Sequence, residues 1–253
     1  MITLIGAGNV AHWIVQQLRG SKEFPIGQIY SRKLEHAAML AEKVGAQAID
    51  DLGKLDPTSE IYVFSVKDDA YPAVLSSIPF ELPVAIHTAG AVSQDIFHGK
   101  ARHYGVLYPL QTFSKAADLQ TIRVPLCIED NALGAQRDKV MRLASELSGI
   151  QYAITEEQRA VLHLAAVFAC NFSNAMARAA ETILNKEHLD FKMLHPIMQQ
   201  TLSKLDTMSP KEAQTGPAVR RDNHTMEKHL QMLPSDELKT IYRQISQYIM
   251  SEN

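Results

Sequence analysis

The first dozen residues constrain this chain more than any other stretch. Residues 1–5, Met-Ile-Thr-Leu-Ile, are an apolar run that passes directly into Gly6-Ala7-Gly8-Asn9-Val10-Ala11, and residues 11–18 then read as a helix. Gly6 permits a tight turn, Gly8 lets a pyrophosphate approach the backbone, and Ala11 allows close packing of helix on strand. The helix start adds unpaired N–H groups and the positive end of a dipole. A Gly-x-Gly-x-x-Ala turn between strand and helix predicts a dinucleotide site along Gly6, Gly8, Asn9 and Val10. The alternative is a glycine-rich turn without a ligand.

The alternation continues. Residues 28–31 read as a second strand whose end, Ser31-Arg32-Lys33, precedes a helix over 34–44. At that strand tip an NAD site carries an acidic residue for the ribose hydroxyls, whereas a hydroxyl and two cations suit a 2′-phosphate. Ser31, Arg32 and Lys33 therefore favour NADP over NAD, unless the cations are simply solvated at a helix start. Strands are predicted over 46–49, 61–66, 83–88, 104–108 and 124–128, then a helix over 132–147 and an extended piece at 151–154. Val66 and Lys67 stand at the end of one strand, and Thr88 and Gly90 at the end of the next, where ligands sit in open α/β sheets. The fold class is α/β: a doubly wound, mostly parallel sheet in a domain spanning 1–154, followed by an all-helical domain over 155–253.

From Thr155 onward only helices are predicted. Thr155-Glu156-Glu157-Gln158 offers a cap and an acidic first turn for a helix reaching about residue 184 without Gly or Pro. At about 100° per residue, His163, Val167, Asn171, Asn174 and Arg178 share one stripe on an otherwise apolar helix. Such a helix is expected to be buried, with the stripe in an interhelical network or facing a cleft. Further helices are expected over 190–208, where Gln200, Thr201 and Lys204 share a side, from Asp222 or Asn223 to 230, and over 236–250 behind Ser235.

Composition narrows the partners. A net charge of −3 over 253 residues gives no electrostatic footprint for nucleic acid or an anionic membrane surface, so small ligands are expected. Cys127 and Cys170 form neither a zinc spacing nor a disulfide framework, and the ten histidines show no ligand pair at helical spacing, so no metal is expected. With no leader pattern and no apolar run read as membrane-spanning, the expected compartment is cytoplasmic.

The motifs GAGNVA at Gly6, HTAG at His87, YPLQTF at Tyr108, LHLAAVFACNF at Leu162 and TGPAVRRD at Thr215 together resemble a family of NADP oxidoreductases that joins a Rossmann domain to a helical domain of uncharacterised function. The first half also resembles pyrroline-5-carboxylate reductase and ketopantoate reductase. The resemblance implies the Rossmann fold, NADP as cofactor and often a homodimer. Many relatives carry Ser where this chain has Ala89, and His where it has Tyr108, so a proton-donor role at either position does not transfer unchanged.

For hydride transfer to a small oxo acid or imine, His163 is the candidate acid and Asn171 a neutral group that could polarise the substrate. Arg220 or Arg221, and more weakly Lys204, could hold a substrate carboxylate. Each has a structural alternative: a satisfied core histidine, or an Arg-Arg-Asp group that locks its own turn. The rival function is a non-catalytic NADP(H)-binding redox sensor or interaction protein. The apolar helical half is expected to form a homodimer.

Overall fold

A computed structural model describes residues 1–113 and 123–252. The chain forms two compact units, Met1–Phe168 and Ala169–Asn253. Residues 154/155, the expected domain boundary, lie at the cap of a helix whose first half belongs to the first unit.

The first unit is an eight-stranded sheet in the order β3-β2-β1-β4-β5-β6-β7-β8. The strands are β1 (Ile2–Ile5), β2 (Ile26–Tyr30), β3 (Gln47–Ile49), β4 (Ile61–Phe64), β5 (Leu82–His87), β6 (Ala101–Pro109), β7 (Leu126–Glu129) and β8 (Gln151–Ala153). All neighbours are parallel except β6 and β7, which run antiparallel. Helices α1 (Asn9–Gln17), α2 (Leu34–Ala41), α3 (Tyr71–Ser77) and α4 (Arg137–Leu147) connect them.

Apolar runs of this kind need cover on both faces. In β4, Ile61 and Val63 enter one core with Trp13, Ile14, Leu40 and Leu143. Tyr62 and Phe64 enter the other with Tyr71, Leu75 and Phe97. A period-two strand buried on both sides reads as continuous hydrophobicity, as the sequence does here. Each fully buried large apolar side chain contributes about 1.5–3 kcal/mol relative to exposure.

Helix α5 (Glu156–Ala166) closes the first unit. Thr155 and Gln158 form a complete capping box, so the predicted cap is realised in its strongest form. At Val167–Phe172 the helix changes to a π-turn, then resumes as α6 (Ser173–Asn185). The constant 100° step used to draw the stripe from His163 to Arg178 therefore does not hold through this segment.

The second unit adds α7 (His195–Lys204), α8 (Pro210–Ala213), α9 (Asn223–Met232) and α10 (Asp236–Glu252). Pro196 sits in the first turn of α7, where its missing N–H costs nothing. Asp222 caps α9, accepting from the Thr225 N–H at 3.0 Å. Ser235 Oγ accepts from the Leu238 N–H at 3.3 Å. The expectation that the helix over 155–184 is buried fails: Arg159 is its one buried residue among those described, and α7 and α10 likewise have none.

The continuous helix Glu156–Asn185, with mean hydropathy 1.4 over an 18-residue window, is long and apolar enough to cross a membrane by length and composition alone. The sequence expectation concerned uninterrupted apolar runs, and His163, Asn171, Ser173 and Asn174 interrupt this one. Arg159 on that helix is nonetheless buried against Glu129 of β7, a pairing made inside the sheet domain.

Candidate functional site

The phosphate turn is built as its spacing requires. Gly6 has φ +122°, and a Cβ there would lie 2.2 Å from the Ser65 carbonyl oxygen, so only glycine fits between β1 and β4. At Gly8 a Cβ would meet nothing within 4 Å, since the backbone faces open space at the start of α1. That space is a cavity of about 730 Å³ bounded by Gly6, Gly8, Ser31, Arg32, Val66 and Lys67, along the carboxyl ends of β1, β2 and β4. Its size suits a dinucleotide, and it combines bare backbone, a helix N-terminus and cations, as a phosphate-bearing ligand needs. The residues present fit NADP.

Six of the eleven predicted cofactor residues line this cavity. The others have different local duties. The Asn9 amide donates to the Phe113 carbonyl at 2.8 Å, and Val10 packs on the core. Lys33 is exposed, 4.0 Å from Glu35. Thr88 is buried, its hydroxyl donating to the Phe64 carbonyl at 3.3 Å, which ties the end of β5 to that of β4. Gly90 is buried beneath a side chain rather than open to the cavity: a Cβ there would lie 2.5 Å from His163 Nδ1.

Helix α5 brings His163 to the end of β5. Its half-buried imidazole rests on Gly90, and its Nδ1 lies 3.0 Å from the Tyr108 hydroxyl at the end of β6. The rings meet edge to face, with centroids 5.8 Å apart. Four residues earlier on the same helix, Arg159 is fully buried. Its Nε donates to Glu129 Oε1, and its Nη1 donates to the carbonyls of Ala89 and Gly90 at 3.1 and 2.8 Å. One turn earlier still, Glu156 accepts from the Ser93 hydroxyl at 2.8 Å. The face of α5 that meets the sheet thus runs through Glu156, Arg159 and His163.

Strand register places His87 beside Val106, and Val106 beside Glu129. Burial, reinforced by the Arg159 cation, lowers the His87 pKa to about 3. The ring is neutral, with Nδ1 accepting from the Ala89 N–H at 3.2 Å.

Sequence reasoning missed Arg159, Glu129, His87 and the Tyr108–His163 contact. The available signals were an arginine four residues before His163 on an apolar helix and a glutamate ending the apolar run Leu126–Glu129. Neither indicates its partner.

The remaining catalytic candidates belong to the second unit. Asn171 is exposed within the π-turn, and Lys204 ends α7. Arg221 adopts φ +53° and donates to the Met250 carbonyl at 3.3 Å, tying its turn to α10. Arg220 is exposed and contributes to holding the Asp222 carboxyl below its ordinary pKa, behind the hydrogen bonds from Thr225. Among the described residues Asp222 makes no ion pair with either arginine. This unit also holds an apolar cavity of about 390 Å³ between α6, α9 and α10, where His229 Nδ1 lies 2.9 Å from the Tyr242 hydroxyl. Both cysteines are free, Cys127 buried and Cys170 exposed, and no group of three candidate metal ligands occurs among the described residues.

A mostly parallel Rossmann-type sheet with this phosphate turn, followed by helices, defines a nucleotide-dependent oxidoreductase fold. Residues 1–87 match the family described as NADP oxidoreductase coenzyme F420-dependent, and residues 124–249 match a domain of unknown function, DUF2520. An NADP oxidoreductase structure from Bacteroides fragilis, so named without an established activity, is 37% identical, with 99% of this chain and 97% of that one aligned at a TM-score of 0.89. The chain belongs to this family of NADP oxidoreductases with a DUF2520 carboxyl-terminal domain, and NADP is the family's cofactor. A Thermotoga maritima protein at 24% identity, covering 99% and 97% of the two chains with TM-score 0.72, shares the fold. So does a reductive aminase from Aspergillus terreus in complex with NADPH and ethyl-5-oxohexanoate, at 14% identity, 100% and 94% coverage and TM-score 0.72. No curated protein matches.

Proposed function

We propose that this protein is an NADPH-dependent reductase of a small oxo acid or imine, with His163 as the proton donor. The observation that carries this reading is the placement of His163. It sits on Gly90 at the carboxyl end of β5, the strand adjoining β4, whose own end lines the nucleotide cavity. NADPH would supply the hydride.

Gly6, Gly8 and the start of α1 would hold the pyrophosphate, while Ser31 and Arg32 would meet the 2′-phosphate. Among the described residues Arg32 makes no ion pair, which leaves its guanidinium available for that group. His163 would hold a proton near the reacting oxygen or nitrogen, its ring fixed through Nδ1 by Tyr108. Tyr108 and His163 thus share this end of the sheet as a hydrogen-bonded pair. Arg220, Lys204 and Asn171 are the second unit's candidates for holding a substrate carboxylate or amide.

The exposed apolar faces of the second unit support a homodimer formed there, its occupant a second copy of this chain. A small-molecule substrate and a soluble setting accord with the fold, and the cytoplasm is the proposed compartment.

The test is a titration with NADPH and, separately, NADH, followed by Trp13 emission, then turnover on a panel of oxo acids and cyclic imines. Trp13 is buried on α1 and packs at a tilt against Phe113, ring centroids 5.4 Å apart, and the Phe113 carbonyl holds Asn9 at the phosphate turn. Saturation by NADPH with at least tenfold preference over NADH is expected, as is a fall in turnover of about 10²-fold or more in His163→Ala with NADPH affinity retained. Tight binding without turnover on any of the panel would instead favour the redox-sensor function.

A further inference from the structure

The buried Arg159–Glu129 pair lies outside the nucleotide cavity, and no step proposed above uses it. Two charges removed from water repay their desolvation only through good geometry, and apolar residues of similar volume often serve stability as well or better. Here Arg159 is 1% and Glu129 3% exposed, on a helix and a strand that are otherwise well supplied with apolar residues. Stability alone gives a weak reason for a full ion pair at this point. The geometry gives a stronger one.

A single guanidinium joins three separate segments. It holds Glu129 at the end of β7, the consecutive carbonyls of Ala89 and Gly90 after β5, and its own helix α5. Gly90 is the residue on whose α-carbon the His163 ring lies, and His163 follows Arg159 by four residues on the same helix face. A slip of one helical position would swing His163 through about 100° and take Nδ1 away from Tyr108. A lysine could neutralise Glu129, but a point charge on a flexible stem cannot reproduce the planar fork that reaches a carboxylate and two carbonyls together.

We propose that Arg159 is a positioning residue: by clamping Glu129 and the Ala89 and Gly90 carbonyls, it holds α5 in the register that lays the His163 imidazole on Gly90 with Nδ1 at the Tyr108 hydroxyl. Its functional consequence rests on His163 being the proton donor.

The experiment observes the imidazole directly and requires no substrate. Full-length protein labelled with ¹⁵N-histidine is examined by NMR. His163→Gln identifies the His163 signals, and Tyr108→Phe shows their form when the hydrogen bond is gone. In folded Arg159→Lys, the His163 nitrogens are expected to leave the single hydrogen-bonded pattern and approach that of Tyr108→Phe. Turnover on a cyclic imine should fall about 10²-fold while NADPH affinity stays within twofold.

The double variant Arg159→Met/Glu129→Leu, which removes both charges, should lose the His163 pattern in the same way while keeping the fold. An unchanged His163 pattern in either folded variant overturns the proposal, and failure of both to fold would make the pair a stability element and also overturn it. If His163→Gln retains full turnover while the ring still depends on Arg159, the proton-donor reading fails and the positioning role stands.

Discussion

The two units of this chain handle apolar side chains in opposite ways. In the first, successive residues of one strand enter different cores, and Tyr62, Val63, Leu107 and Trp13 are all essentially inaccessible to water. In the second, Ala218 and Met226 are the buried apolar residues among those described, whereas Leu202 is 68% and Met232 74% exposed. A parallel sheet carries its own cover, because each crossover lays a helix on a face. Helices whose apolar faces stay exposed need cover from elsewhere, which the homodimer proposed above would supply. The unit with the complete core carries the nucleotide turn, and the unit with the incomplete core carries the exposed apolar surface.

The largest expected effect comes from charging that exposed surface. Ile197→Glu combined with Leu202→Glu should weaken self-association at least a thousandfold, about 4 kcal/mol, giving a monomer by light scattering at micromolar concentration. If the parent protein is itself a monomer there, the contrast between the units loses its proposed meaning. A smaller effect sharpens the contrast within one protomer. Leu107→Ala in β6 should cost about 3 kcal/mol in urea unfolding. Met232→Ala, introduced into the monomeric charge variant, should change stability by no more than about 0.5 kcal/mol.

A third comparison distinguishes the first unit by pH. The His87 pKa falls from its ordinary value to about 3 through burial and the neighbouring Arg159 cation. Between about pH 6.5 and that value the unfolded chain binds a proton that the folded chain does not, so this contribution to stability is complete above about pH 6.5 and is lost as pH falls. The slope is about 1.4 kcal/mol per pH unit. His87→Asn, whose carbonyl can still accept from the Ala89 N–H, should remove that slope from urea midpoints measured between pH 6.5 and 4. A variant with the parent's slope would show that another group titrates.

Local chemistry made much of the first unit legible. Gly6 and Gly8 announce a turn because their backbone requirements are local, and Thr155 with Gln158 announces a helix start for the same reason. Ser31 and Arg32 were readable as a strand tip because the strand and the following helix bracket them. Asn9, Thr88 and Gly90 were less transparent. They stand at the expected end of the sheet, yet their side chains or α-carbon serve Phe113, Phe64 and His163, each distant in sequence. The stripe on the long helix begins at His163, which meets Gly90 and Tyr108, but its continuation to Asn171 and Arg178 assumed a uniform helix that the π-turn interrupts.

The chain's own order of residues determined the phosphate turn, the alternation of strand and helix, the change to helices after Thr155 and the cationic strand tip, because each rests on neighbours within a few positions. Tertiary structure decided that Glu129 and Ala89 would meet at Arg159, that Tyr108 would reach His163, and that the helices of the second unit would keep their apolar faces exposed. Those outcomes depend on how strands separated by up to dozens of residues lie in register and on which surfaces find cover, and one-dimensional periodicity carries neither quantity.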